Sequence, residues 1–431
     1  MKPAEPGAVA LALYRRESLS WGLIGFTLGL VEGATAAVLL KKQYEGQASP
    51  EVVNLAVAFV SGAPALSNVV SFLWANLAHG RERVRLMVAL FAGFALLVGL
   101  IGLSPRASHG LTLTVLSVIA ARVLWSGILT VRSAVWTANY PRTVLARITG
   151  RIVVVTSLGI AAAAALAGWL LESRPEFTRW LYAAAALSGL VAAWLYRQMR
   201  VRREYALISA ENAALGQSQV FSLGVMRQIL RDDPAYRRYM AWLGVYGAGN
   251  LMLSAQFVIV FSDQLQLSSA KQIGVLAIVP LLSIPLFTPW WARQFDAGHV
   301  IEYRARQCWA LIAAIALLIL AVFTRVEALL WFGALMLGAS TAGANLGWNL
   351  GHSDFASLGR MQQYMGVNVT LTGMRGLIAP PAGVLVYEAL ERVAVGAGRY
   401  ALLLPLGMTL LGAWGFNSMK EGARRTPRGI Q

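Results

Sequence analysis

Apolar stretches of spanning length recur from one end of this chain to the other. A bilayer core of about 30 Å needs roughly 20 apolar residues in a helix, and twelve segments meet or approach that length. They lie near 20–40, 53–76, 86–103, 111–137, 147–171, 178–197, 239–261, 271–291, 307–324, 328–350, 363–387 and 399–417. No backbone polar group survives unpaired in hydrocarbon, so spans this long and this numerous must be helices. The expectation is an all-α membrane protein. Composition agrees: of 431 residues, 57% are hydrophobic and 13% charged, against about 25% charged in soluble domains.

A formal net charge of +17 raises nucleic acid as a partner, and the placement of the charge answers it. With both termini taken as cytoplasmic, most of the 37 Lys and Arg fall in segments on that side, which is the positive-inside pattern. Short basic loops such as His79–Arg85 and Arg293–Arg306 then read as topological anchors. Expected partners are membrane lipids and a small-molecule substrate, with no nucleic acid. Trp180, Trp291, Trp331 and Trp414 lie near span ends, where indoles suit the interface. Cys308 is the one cysteine, so no disulfide framework exists. The polar Met1–Arg16 start carries no cleavable signal pattern, and a bacterial inner membrane is the default location.

The chain also repeats itself. Tyr14-Arg15-Arg16 before Trp21 matches Tyr236-Arg237-Arg238 before Trp242; Trp74-Ala75 with Gly80 matches Trp291-Ala292 with Gly298; Arg147 matches Arg360. The three matches run in order at a nearly constant offset, which indicates duplication. The expected domains are an N-terminal bundle over 1–198, a cytoplasmic linker over 199–235 and a C-terminal bundle over 236–431. Within the linker, Glu204–Gly216 and Val220–Leu230 suit short amphipathic helices on the cytoplasmic surface.

Six spans, a linker and six more resemble the major facilitator superfamily over nearly the whole chain. That resemblance implies a fold of twelve transmembrane helices in two six-helix bundles, with a substrate site near the midplane and alternating access by rocking of the bundles. The superfamily's loop after the second span carries a gating signature rich in Gly, Asp and Arg. Here Trp74–Arg83 lacks its acidic position, while Trp291–Gly298 keeps Asp296. A fourth-span Arg-Gly signal is approximated by Arg122 with Gly127, one residue off the usual spacing. The proline-containing fifth-span signature of drug antiporters is absent; Leu158–Trp169 is an alanine run with Gly159 and Gly168, suited to close helix packing. In the eleventh span Pro380 and Pro381, with Gly373, Gly376 and Gly383, allow a bend just after Arg375.

Charges inside spans cost about 2.5–3.5 kcal/mol each on insertion scales and are functional by default. Glu32, Arg122 and Arg375 are therefore expected on the substrate or proton path. Glu32 should pair with Arg122 or Arg375, or carry a proton, because an unpaired buried charge is too costly. Its counterpart in the second half falls near Leu253 or Ser254. Arg132, toward the cytoplasmic end of its span, reads instead as a snorkelling anchor. Asn250, Gln256, Asn345, Asn349 and Asn368 are amides at membrane depth. Each alone reads as helix glue, and as a cluster with Trp348 and Tyr246 they read as substrate contacts. Two arginines to one glutamate favour an anionic or zwitterionic solute, since guanidinium binds carboxylate or phosphate bidentately.

Asp296, Asp354, Arg360, Pro380 and Pro381 are the candidate gating residues. His352 with Asp354 is also a possible pH-sensitive pair, the other histidines (His79, His109, His299) lying near loops. Met361, Met365 and Met374 read as packing, and no metal-ligand cluster, nucleophile–base set or dinucleotide fingerprint is visible. The expected function is a secondary active transporter, not an enzyme, monomeric, without cofactor and driven by a proton or other ion gradient. Efflux of amphipathic compounds and a non-transporting sensor or scaffold are the alternatives.

Overall fold

A computed structural model describes residues 8–140, 142–202, 204–213, 222–356 and 360–425. Every regular element among them is helical. In chain order the α-helices are α1 (Ala8–Gly29), α2 (Gly33–Tyr44), α3 (Pro50–Leu66), α4 (Ser71–Ala78), α5 (Arg83–Leu103), α6 (Ser108–Asn139), α7 (Arg142–Ser173), α8 (Thr178–Tyr196), α9 (Glu204–Ala213), α10 (Leu223–Asp232), α11 (Pro234–Asp263), α12 (Ser269–Ile273), α13 (Val279–Asp296), α14 (Val300–Thr324), α15 (Glu327–Leu350), α16 (Met361–Val393) and α17 (Leu403–Arg425). Among the described residues ten stretches are long and apolar enough to cross a membrane, and the bent pair α1–α2 makes an eleventh. With α8, they account for the twelve spans read from the sequence.

Two expected spans are not single helices. The first breaks at Leu30–Glu32 and bends by 42° between α1 and α2. Glycines flank the break at 29 and 33, where each costs about 1 kcal/mol of helix propensity. The Glu32 carbonyl accepts from Ala36 N at 3.1 Å, so Glu32 caps the start of α2, where a carboxylate suits the positive end of the helix dipole. The second span is α3, a 3-10 turn over Ser67–Val70, and α4. There the Ser67 hydroxyl donates to the Pro64 carbonyl at 3.0 Å, a local bond that competes with the helical ladder.

The helices group into two units: residues 1–36 with 70–219, and residues 37–69 with 220–431. In the first, α1 packs on α7 and α8, and α5 on α6 and α8. The α1–α7 seam is drawn tight by glycine: a Cβ on Gly25 would stand 2.5 Å from the Thr156 carbonyl oxygen, and one on Gly159 2.4 Å from that of Gly22. Dispersion between close backbones replaces the hydrophobic effect that lipid cannot supply. Trp21, Phe91, Phe94 and Tyr196 fill the core, all fully buried. The linker helix α9 belongs to this unit, its Glu204 accepting from Arg83 N at the start of α5 at 2.7 Å.

In the second unit α11 packs on α16 and α17, α14 on α15 and α17, and α13 on α15. The stretch 37–69 joins it because α3 lies along α16 and α11. Trp291, expected at a lipid interface, is buried instead. It stacks edge-on with Tyr303 at 5.6 Å and donates to the Ala339 carbonyl at 2.7 Å. Burial satisfies its N–H without interfacial water. Trp180 and Trp414 are exposed, as the interface reading expects. Both linker helices form, α9 and α10, while 214–221 of that segment lies outside the described residues.

Candidate functional site

Glu32, at the break in the first span, accepts from Arg122 Nη1 at 2.7 Å. The guanidinium is held on α6 with its side chain 8% exposed, against 38% for Glu32. Of the two partners the sequence offered, the fold selects Arg122. The broken helix matters here, since a charged side chain at a helix start gains the dipole as well as its ion pair. Arg122 Nε is buried without a partner, so the guanidinium is only partly satisfied. Gly127, the other half of the Arg-Gly resemblance, has a mechanical role: a Cβ there would stand 2.7 Å from the Trp74 indole.

In the second unit Arg375 lies mid-way along α16. It donates to the Leu243 carbonyl, to the Leu371 carbonyl at 3.2 Å and to the Thr372 hydroxyl at 2.6 Å. Room for it exists because residue 247 on α11 is glycine, whose absent Cβ would lie 2.2 Å from Nη1. Thr372 also accepts from Trp348 Nε1 at 3.4 Å and donates to the Asn368 carbonyl at 2.8 Å. Asn368 Nδ2 in turn donates to the Trp348 carbonyl at 3.2 Å. Its Oδ1 is buried with no partner. Thus Arg375, Trp348 and Asn368 form one connected polar cluster on α15 and α16. Among the described residues no carboxylate forms an ion pair with Arg375.

The remaining amides do not join that cluster through any hydrogen bond. Gln256 is fully buried and donates its NH₂ to the carbonyls of Gly383 (2.8 Å) and Ala401 (3.4 Å), while its Oε1 is buried with no partner. Asn345 and Asn349 share an exposed face of α15, as their spacing requires, and Asn349 Nδ2 bonds back to the Asn345 carbonyl at 2.7 Å. Asn250 is exposed on α11. Tyr246 is buried, edge-on to Phe416 at 6.3 Å.

Among the gating candidates, Asp354 accepts from Val300 N at 2.6 Å and so pins the start of α14. Asp296 is exposed, and no ion pair reaches it among the described residues. Arg360 is exposed beside Gln363 (3.4 Å) and the Tyr364 ring (5.8 Å). The Pro380–Pro381 pair sits inside a helix that stays continuous from Met361 to Val393. Proline at 380 leaves the Gly376 carbonyl without its helical donor. Gly62 of α3 packs there, where a Cβ would stand 2.5 Å from that oxygen.

Three groups escaped the sequence reading. Arg132 does not snorkel: its guanidinium lies over Trp136 (4.4 Å) and Trp21 (5.2 Å), a cation–π cradle. Close by, fully buried Glu17 accepts from Trp136 Nε1 at 2.8 Å and from the Tyr140 hydroxyl. Burial, and then the Glu17 charge, push the Tyr140 phenol well above its usual pKa. Arg304 on α14 is 2% exposed and donates to Tyr239 Oη (3.4 Å) and Gln307 (3.1 Å). Finally Lys41, Asn54, Asp263 and Glu388 form a polar chain near the turn joining the first two spans. The Trp21–Trp136 spacing carried no signal, whereas Lys41 and Glu388 stand in the sequence as charges at span ends that nothing in their local pattern singles out.

A sequence profile described as the Major Facilitator Superfamily matches residues 17–380. No curated protein matches the sequence. Among solved structures, the D-xylose-proton symporter has a TM-score of 0.69 at 11% identity, covering 94% of this chain and 97% of that one. The nucleoside transporter NupG has a TM-score of 0.64 at 13% identity, covering 96% and 99%. The human organic anion transporter MFSD10 (TETRAN) has 0.56 at 16% identity, covering 96% and 100%. At these identities the likeness is one of fold.

Proposed function

This chain belongs to the Major Facilitator Superfamily, and from that footing we propose that it is a secondary active transporter that moves a small anionic or zwitterionic solute by alternating access, coupled to protons. The observation that carries the substrate class is Arg375. A guanidinium deep in a span, held by two carbonyls and a hydroxyl and without a carboxylate partner among the described residues, has its geometry fixed and its charge uncompensated. Carbonyls orient the fork; an incoming carboxylate or phosphate supplies the missing charge through charge-assisted bonds. Trp348, Thr372 and Asn368 hold the group in place, and the free Asn368 oxygen can accept from a substrate donor, as a zwitterion offers.

Glu32 is the proposed coupling carboxylate. It is paired to Arg122 at 2.7 Å and 38% exposed, so water reaches it while a counter-ion waits on its other side. Protonation frees Arg122, and a bound anion at Arg122 favours that proton by the same coupling energy.

The test is thermal stability of the detergent-purified protein against carboxylates, phosphates, amino acids, sugars and lipophilic cations, with Arg375→Ala in parallel at two pH values. Binding at about 100 times Kd adds about 2.7 kcal/mol to the folded state. An anion that stabilises the parent chain and leaves Arg375→Ala unmoved is the expected result. Stabilisation by lipophilic cations alone, equal in both chains, overturns the anion reading in favour of amphipath efflux.

A further inference from the structure

At the end of the second unit where α11, α14 and α16 terminate, a cavity of about 180 Å³ opens among Asp263, Val322, Arg325, Glu391, Val395 and Arg399. These residues all belong to that one unit. The cavity is not the Arg375 site. Arg375 and Glu391 stand on the same continuous helix, and at the helical rise per residue they lie about 24 Å apart along its axis.

Two guanidinium groups line it. Arg399 is held against an aromatic pair: its Cζ lies 5.2 Å from the Phe323 ring and 5.4 Å from the Tyr400 ring, and those rings are themselves 5.4 Å apart. Stacking on aromatic faces fixes a guanidinium and leaves its N–H edge unused. The Arg399 Nε is buried with no partner. Arg325 caps α14 in the left-handed conformation (φ 57°), its backbone N–H bonded to the Ala321 carbonyl at 2.8 Å. Glycine is the usual residue at such a cap, because a Cβ is strained there. Arginine in that place brings a second fork to the rim, two residues after Phe323.

The plain alternative is the helix dipole, since three C-termini end here and cations suit them. That accounts for the positive charge and not for the donors. Among the described residues no carboxylate pairs with either arginine, and neither guanidinium meets an acceptor. The nearby acids are spent elsewhere. Asp263 pairs with Lys41 at 2.8 Å, and Glu391 accepts from Gly396 N (2.7 Å), Gly398 N (2.8 Å) and Gln264 (3.2 Å). Beyond the lining, Glu388 accepts from Asn54 at 2.6 Å and Glu327 pairs with Lys271 at 2.9 Å. Arg392 on α16 is exposed and adds a further positive charge.

We propose that Arg325 and Arg399 form an oxyanion-binding site, separate from Arg375 and independent of the transporter reading. Two unfilled forks bind a phosphate or carboxylate through charge-assisted bonds. A carboxylate offers about four acceptor positions, more than the contacts found at Asp263 or Glu391 use. The lining therefore suits an oxyanion that also carries a hydrogen-bond donor over a bare polyanion. Phosphoethanolamine has that chemistry, whether it arrives as a free solute or as the headgroup of a lipid.

The test is thermal unfolding of the full-length, delipidated protein in detergent, titrated with phosphoethanolamine and, separately, with short-chain phosphatidylethanolamine. Ethanolamine at matched ionic strength is the control. Binding to the folded state raises the melting temperature with ligand concentration. A rise is expected in the parent chain and equally in Arg375→Ala, with at least a ten-fold loss of apparent affinity in Arg399→Gln and in Arg325→Gly. Arg325→Gly suits the left-handed cap, so its loss of binding is not a loss of fold. A response to the soluble probe identifies a free solute; a response to the acylated probe alone identifies a lipid headgroup. No shift with either probe, an equal shift with ethanolamine, or an undiminished shift in the Arg325 and Arg399 variants overturns the proposal. So does a shift lost in Arg375→Ala alone, which would assign the binding to the solute site instead.

Discussion

Replacing Glu32 with Gln separates its two roles. The substitution leaves Arg122 an amide oxygen in place of its counter-charge, giving up part of a hydrogen bond to a charged group, which is worth about 1.5–3 kcal/mol in all. That is less than the roughly 3–5 kcal/mol typical of a fully buried pair, because the Glu32 side chain is 38% exposed. Glu32→Gln is expected to lower the melting temperature modestly and to abolish the pH dependence of uptake, read in reconstituted vesicles over a pH series. Arg375→Lys makes the opposite contrast: charge stays and the fork is lost, so affinity for a carboxylate falls while the fold is kept. Binding titrations on both arginine variants check this. The Glu32–Arg122 contact was legible in outline, since two opposite charges at depth must find partners. Glu17 was not, because nothing in the polar start of the first span announced that Trp136 and Tyr140 would enclose it.

At the scale of helices, the glycine seam of α1 and α7 carries a prediction of its own. Gly25→Ala places a methyl 2.5 Å from a backbone oxygen, a contact no rotamer can relieve, and overpacking of this kind costs about 1–3 kcal/mol. The measurement is unfolding in increasing SDS, where Gly25→Ala should fall well before the parent. Gln256→Leu, by contrast, removes two interhelical bonds of about 0.6 kcal/mol each and should leave uptake unchanged. Hydropathy located the spans but not their breaks at Leu30–Glu32 and Ser67–Val70. Averaging over about twenty residues hides a three-residue interruption, and glycine or proline permits a break without requiring one.

For the whole molecule the charge asymmetry makes the topological claim. With the basic linker on the cytoplasmic side, fusions of a fluorescent protein to either terminus should glow, and a periplasmic phosphatase fused there should be inactive. The reverse pattern would invert the assignment of every loop. The duplication of Tyr14-Arg15-Arg16 in Tyr236-Arg237-Arg238 signalled two related halves. Contacts nonetheless place residues 37–69 with 220–431, because a helix joins the neighbours its small residues fit, as α3 does at Gly62 and Gly376.

Membership of the helical membrane class, the twelve apolar stretches, the repeat within the sequence and the setting of Glu32, Arg122 and Arg375 inside apolar stretches were legible in the sequence alone. Each depends on local quantities: apolar run length, desolvation cost and order along the chain. Which charges meet was decided by tertiary structure. Arg122 finds Glu32 across 90 positions, Lys41 finds Asp263 across 222, and Asn54 finds Glu388 across 334. Such pairings follow from helix contacts made by glycine and proline shapes, and those contacts have no period that a linear reading can detect.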